Sequence, residues 1–276
     1  MRSCLTLLIL LVPAAGAAQA RPVVQQRLVG QLGPTGAEHA IAVAARADLG
    51  DPRELLFTGA HAEAGLINHT SPIYSMSGGY LAVSPFAFLV LRAALLAAVV
   101  WPIGQDGAGY FASHVPSLPP LDGALGGLAH GWSATFSAVL QGAVPLGPLR
   151  AILWSELSLE HLRLGEAPYH YSARHDAVLA QSDWVLGNWA MALLEIPLAA
   201  GLALRAGAYD DVRFVPRSEW SSHQLGGAVM LAAERPVPEV GEVLAFARAG
   251  AFLAHERRAG DFALLAGVLI RYELAP

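Results

Sequence analysis

The chain has 276 residues, 54% of them hydrophobic and 14% charged, with a mean hydropathy of +0.45 and a formal net charge of −5. A negative chain whose 17 basic residues are scattered excludes nucleic acid as a partner, because phosphate binding needs a clustered basic surface. So apolar a composition with few uninterrupted apolar runs is what a membrane solvent asks of a chain that does not cross it as helices.

Residues 1–20, MRSCLTLLILLVPAAGAAQA, combine a basic start at Arg2, an apolar core from Leu5 to Val12 and the small-residue end Ala18-Gln19-Ala20. These are the parts of a secretory signal, with cleavage expected after Ala20. The apolar core falls short of the ~20 residues that a spanning helix needs. Cys4 is the only cysteine and leaves with the signal, so the mature chain carries neither a disulfide nor a catalytic thiol.

Residues 21–35 form an N-terminal segment in which QQRLVGQL is a candidate first strand. From residue 36 to 276 the dominant signal is a period of two. Ile41, Val43, Ala45, Ala47 and Leu49 share one parity, and Ala44, Arg46 and Asp48 the other. The run LLFTGAHAEAGL sets Leu56, Ala60, Ala62, Ala64 and Leu66 against Phe57, His61 and Glu63, and Asn68 to Gly79 reads as a looser segment rich in turn formers. The stretch from Phe86 to Ile103 has the hydropathy of a membrane helix. Pro85 and Pro102 bound it, and Arg92 near its centre would be costly in a helix facing lipid. As a strand it turns Leu89, Leu91, Ala93, Leu95, Ala97 and Val99 outward and Arg92 inward. Trp101 to Ala129 reads as loop.

The clearest unit is Gly131 to Leu164. Trp132, Ala134, Phe136, Ala138, Leu140 and Val144 alternate with Ser133, Thr135, Ser137 and Gln141; Pro145-Leu146-Gly147-Pro148 then turns the chain. In the returning arm Leu149, Ala151, Leu153, Leu157 and Leu159 alternate with Arg150, Ile152, Trp154, Glu156, Ser158 and Glu160. Arms this long exceed the ~5–6 residues typical of soluble strands. After a polar connection, GEAPYHYSARHDAVLAQSD, the pattern resumes in the runs beginning at Asp183, Leu202, His223, Glu242 and Asp261. The parities of Asn188 and Glu195 disagree, which predicts a bulge in that arm.

These segments predict an all-β fold: a transmembrane antiparallel up-and-down barrel of about 12 strands, or 10 if the weakest are lost. Short and long connections alternate, which puts the turns near Pro145, Ala199 and Pro236 on the periplasmic side and the loops near Ala112, Arg174 and Pro216 outside. Arg92, Arg150, Glu156, Glu160, Arg205, Glu234, Arg248 and Arg271 are predicted to face the lumen and to neutralise one another there. Tyr80, Trp101, Tyr110, Trp132, Trp184, Trp189 and Trp220 are candidates for interfacial girdles.

With its signal segment, its barrel pattern and a last strand in which Phe262, Leu264, Ala266, Val268, Ile270 and Tyr272 alternate, the chain resembles Gram-negative outer-membrane β-barrel proteins. That resemblance implies a place in the outer membrane. It implies as partners the lipid bilayer, lipopolysaccharide and the outer-membrane insertion machinery. The chain ends Glu273-Leu274-Ala275-Pro276 where that class ends in an aromatic residue. His170-Tyr171-Ser172 resembles the His-x-Ser element of outer-membrane lipid A 3-O-deacylases, in which the His is base and the Ser nucleophile. Here the element lies in a polar connection, where the plainer reading is a solvated loop. His170, His175 and Asp176 lack the helix and the third ligand of a usual metal site. No nucleotide-binding loop or serine elbow occurs, so no cofactor or metal is expected. The reading is a non-enzymatic barrel acting as a narrow pore, a passive transport component or a structural surface protein. Two alternatives stand beside it: a polytopic helical inner-membrane protein with spans at 86–103 and 186–208, and an outer-membrane lipid hydrolase.

Overall fold

Each period-two segment presents a row of unpaired N–H and C=O groups on either edge, and hydrocarbon tolerates no open edge. Closing the sheet on itself satisfies both rows. The computed structural model describes residues 20–33, 35–51, 53–101, 110–111, 128–166, 168–198, 201–233 and 241–273; the signal segment, Glu234 and the turn near Pro236 lie outside them. The described residues form fifteen strands: β1 (Arg21–Leu32), β2 (Gly36–Asp48), β3 (His61–Thr70), β4 (Tyr74–Phe86), β5 (Leu89–Val100), β6 (Tyr110–Phe111), β7 (Ala129–Leu146), β8 (Leu149–Leu164), β9 (Tyr169–Ser172), β10 (Ala177–Ala180), β11 (Ser182–Pro197), β12 (Leu202–Val215), β13 (Trp220–Ala233), β14 (Glu242–His255) and β15 (Phe262–Glu273). Twelve of them close an antiparallel barrel in which chain neighbours pair and β15 returns to β1. The closing register runs from Val23 opposite Glu273 to Leu32 opposite Leu264. β6, β9 and β10 form a separate three-stranded sheet.

The chain starts at one rim, here the terminal rim, and the turns at 87–88 and 147–148 return to it. At the opposite, loop rim lie the described connections 71–73, 168–181, 216–219 and 256–261, the end of β5 and the start of β7. Gly147 stands at φ 65 before Pro148, the two-residue turn that lets β7 and β8 pair out to Leu146 opposite Leu149. No helix of the described residues is long and apolar enough to cross a membrane. The Phe86 to Ile103 stretch is β5, so the polytopic helical alternative is excluded.

The outer wall is apolar. Leu28, Val43, Leu66, Leu95, Phe136, Leu153, Leu157, Val229 and Val268 all stand exposed on it. The alternation read around Gly131 to Leu164 holds, with Trp132, Phe136 and Leu140 outward and Ser133, Ser137 and Val139 buried inside.

The candidate first strand QQRLVGQL lies within β1, which completes the twelve strands of the barrel. Three other expectations change. The run at 55–60 is a 3-10 turn, and the strand begins only at His61; Gly50 and Gly59, at φ 69 and 76, let the chain reverse around it. Asn68 to Gly79 is mostly strand, because the Asn68 amide donates to Ser75 Oγ (3.2 Å) and Ser77 Oγ (2.6 Å) across the β3–β4 hairpin and so satisfies itself within the ladder. The predicted bulge in β11 is absent. That strand keeps unbroken register with β8 and β12, Glu195 points inward, and Asn188 points outward to donate to Ser155 Oγ at 3.1 Å. Irregularities fall instead between Val83 and Phe86, where Pro85 has no N–H to pair, and between His223 and Gln224.

Candidate functional site: the lumen and the loop that closes it

Lumenal side chains come from every second residue of each strand, so charges distant in sequence meet across strand pairs. Near the terminal rim Arg21 bridges Asp48 and Glu273 (3.2 Å to the latter), and Arg46 lies 3.5 Å from Glu273. Arg271 contacts Glu63 at 3.1 Å, and the Tyr80 hydroxyl donates to the same carboxylate. On β11 Glu195 takes its register partners on both neighbouring strands, Arg150 of β8 and Arg205 of β12, the latter at 2.8 Å. In mid-barrel Asp211 holds Arg213 (3.1 Å) and Arg248 (3.0 Å). The Arg248 guanidinium lies 5.4 Å from the Trp189 ring centre and 5.0 Å from that of Tyr209, and Trp154 meets Trp189 edge-on at 4.5 Å. The space for these rings is made by glycine. A Cβ on Gly250 would stand 2.5 Å from the Tyr209 hydroxyl, and one on Gly267 would stand 2.7 Å from the Phe246 ring.

Toward the loop rim the lumen is filled by the chain itself. The connection 165–181, carrying β9 and β10, packs Tyr171, Ala177, Val178 and Leu179 against Tyr74 and Met76 of β4, Leu96 and Ala98 of β5, Leu162 and Leu164 of β8, Val185, Val215 and Trp220. Leu179 has no exposed surface and His170 only 1%. Two polar latches flank this apolar contact. On one side Arg174 and His175 reach Glu160 at 3.3 and 3.5 Å, the Ser133 hydroxyl donates to the same carboxylate at 2.6 Å, and Glu38 gathers Arg27, His69 and the Tyr74 hydroxyl beside it. On the other side Asp176 receives Arg258 Nε at 2.6 Å and the Tyr171 hydroxyl, and lies 3.2 Å from His255 Nε2. Asp176 adopts φ 50, a left-handed conformation that Asp tolerates, and this aims its carboxylate away from His175. Burial pushes the His170 imidazole down to about 4, and His175 beside it acts the same way. Burial also lowers His175 against the pull of Glu160. For Asp176 burial acts upward, but the contacts with His255, Arg258 and Tyr171 outweigh it and hold the carboxyl below its ordinary value.

Of the residues read as lumenal, Arg150, Glu160, Arg205, Arg248 and Arg271 enter these networks. Arg92 and Glu156 take inward register positions and form no ion pair among the described residues. Glu234 lies outside them. Arg150 pairs with Glu195 of β11, while Gln141 donates to the Ala87 carbonyl at 3.2 Å. His170 and Ser172 are correctly on one segment but not in a solvated loop, since both are buried in the plug. His175 and Asp176 turn to opposite latches, and among the described residues no group of three or more His, Cys, Asp or Glu is placed to hold a metal ion. Of the aromatic set, Trp132 and Trp184 stand outward near the loop rim, stacked about His161 at 4.8 and 4.7 Å, as a girdle would. Tyr80, Trp189 and Trp220 belong to the lumen. Glu38 and Asp211 are not among the lumenal charges read from sequence, because the alternation is traced only from His39 and DDVRFVPRSEW reads as a polar loop where β12 in fact continues to Val215; Glu63 falls on the polar parity of its run but is not counted with the lumenal charges.

No protein-family model and no curated protein sequence matches the chain. Among solved structures it is similar to the β domain of the Bordetella autotransporter BrkA, at 15% identity over 92% of this chain and 99% of that one, with a TM-score of 0.44. It is similar to LpxR from Salmonella typhimurium at 10% identity, over 91% and 100% of the two chains, with a TM-score of 0.43. The NanC porin gives 8% identity over 91% and 100%, with a TM-score of 0.39. These proteins differ in what they do, and the function of this chain has to be read from its own lumen.

Proposed function

We propose that this chain is a bacterial outer-membrane β-barrel without enzymatic activity, closed at rest, that serves as a narrow passive-transport component or a structural surface protein. One observation carries the reading: the connection 165–181 is seated inside the barrel mouth with an apolar face toward the wall and a polar latch on either side. Below it the inward Trp154, Trp189, Tyr209 and Phe246 and their paired arginines occupy the lumen, as side chains commonly do in small barrels. Hydrolysis by His170 and Ser172 would require substrate to reach two side chains enclosed in that plug. A liposome-swelling assay tests the proposal. Vesicles bearing the refolded protein are expected to swell in small sugars no faster than protein-free vesicles, whereas swelling at the rate of an open pore would contradict it.

A further inference from the structure

Every Asp and Glu of the described barrel strands faces the lumen except Asp210 of β12. Its carboxylate stands on the apolar outer wall, 41% exposed, with Oδ1 held by His223 Nε2 at 2.6 Å. Oδ2 has no hydrogen-bond partner among the described residues. On the same face Asn188 of the adjacent β11 and Ser155 of β8 beyond it form another polar pair. Between the pairs the wall is depressed. Leu140, Ser155, Ala190, Asp210 and Leu225 lie in one register row, and Gly142, Leu153, Ala192, Ala208 and Gly227 in the next. The small residues leave an open groove of about 580 Å³ that ends at Phe88 on the terminal rim. The row crosses five strands, so at ~4.8 Å per strand the groove is roughly 19 Å long. Because strands tilt in a barrel, it climbs obliquely: Leu140 is remote from the loop rim, whereas Asp210 is five residues below the end of β12.

An acceptor aimed into hydrocarbon is costly unless a ligand satisfies it, and ionisable groups at membrane depth mark sites. We propose that this groove binds one acyl chain of a lipid that is amide-linked and hydroxylated near its head, with the amide N–H or hydroxyl donating to Asp210 and the chain lying along Ala190, Ala192 and Ala208. The occupant follows from hydrogen-bond chemistry. Asp210 Oδ2 is an acceptor without a donor among the described residues, and Ser155 and Asn188 offer both roles. An ester-linked phospholipid brings carbonyl acceptors to that depth and no donor. A hydroxyacyl amide brings N–H and O–H together.

The test uses the full barrel in phosphatidylcholine vesicles containing either an N-(3-hydroxyacyl) aminosugar lipid or a diacyl ester phospholipid, each with a photoactivatable group at the acyl end. The amide probe is expected to label peptides covering 138–155 and 186–212 at least fivefold more than the ester probe. Asp210→Leu and Ala208→Phe, each giving a heat-modifiable folded band, are expected to reduce that excess to near unity. Equal labelling by both probes would overturn the proposal in favour of ordinary boundary lipid, and so would preferential labelling on other strands. Disulfide-linked dimers from Ala208→Cys in a Cys4→Ser chain would also overturn it, by showing that a second copy covers the face. None of these outcomes bears on whether the lumen conducts.

Discussion

At the scale of the residue, the decisive quantity is how each lumenal charge is compensated. Glu160 is an enclosed carboxylate, with 7% of its side chain exposed, and it is shared by Ser133, Arg174 and His175. Removing one member of a buried charged set leaves the others without compensation, which costs about 3–5 kcal/mol. Glu160→Ala is therefore expected to lower the temperature at which the folded band disappears on a heat-modifiability gel, and Glu166→Ala, on an exposed side chain, to leave it unchanged. Glu156→Ala is expected to fall between them, since Glu156 is half-buried and has no ion-pair partner among the described residues. Equal shifts for Glu160→Ala and Glu166→Ala would show that Glu160 does not anchor the loop. Glycine acts at the same scale. Gly267→Ala would set a methyl 2.5 Å from the Leu28 carbonyl oxygen and 2.7 Å from the Phe246 ring, so it is expected to destabilise the barrel by about 1–3 kcal/mol, as overpacking does. Equilibrium unfolding in urea would measure this, and pairing with Phe246→Leu should recover only part of the loss, because the backbone contact stays.

At the scale of the element, the connection 165–181 is a plug whose seating depends on protonation. His170 has a folded value near 4 against an ordinary 6.5, so the displaced, solvated loop binds protons first as pH falls. The contribution of neutral His170 to seating is complete above about pH 6.5 and is lost on descending toward 4. A depression of that size corresponds to about 3 kcal/mol. His175 shifts in the same direction. Asp176, held below its ordinary carboxylate value, adds stability that disappears only at still lower pH, as its latch to Arg258 is protonated. Amide hydrogen exchange, corrected for the intrinsic pH dependence, is expected to show protection of residues 169–180 falling between pH 7 and 4.5 while the barrel strands hold theirs. His170→Phe should flatten that dependence, and protection that does not vary with pH would refute it.

At the scale of the whole molecule, the barrel was legible in the sequence and the plug was not, for a physical reason in each case. Lipid outside and charge inside impose a strict period of two on long strands, so the faces of β5, β7, β8, β12, β13 and β15 could be read from Arg92, Trp132, Glu160, Arg205, Gln224 and Phe262. Even the helix-like stretch around Arg92 resolved as a strand on that criterion. Where polar residues pair along the outer wall, as Asn188 does with Ser155, parity misleads and suggests a bulge that does not form. The plug has no periodicity to betray it. Val178-Leu179-Ala180 is too short to stand out within a polar connection, and its burial follows from contacts with strands far away in the chain. Charge pairs were anticipated as a class, but their partners depend on closure, which no local pattern encodes. Whether that plug closes the lumen is decided most directly by single-channel recording in planar bilayers at pH 7. The intact barrel is expected to give no stable conductance steps, and a variant with residues 169–180 replaced by a short Gly-Ser linker is expected to give them; large steady steps from the intact barrel would contradict the account.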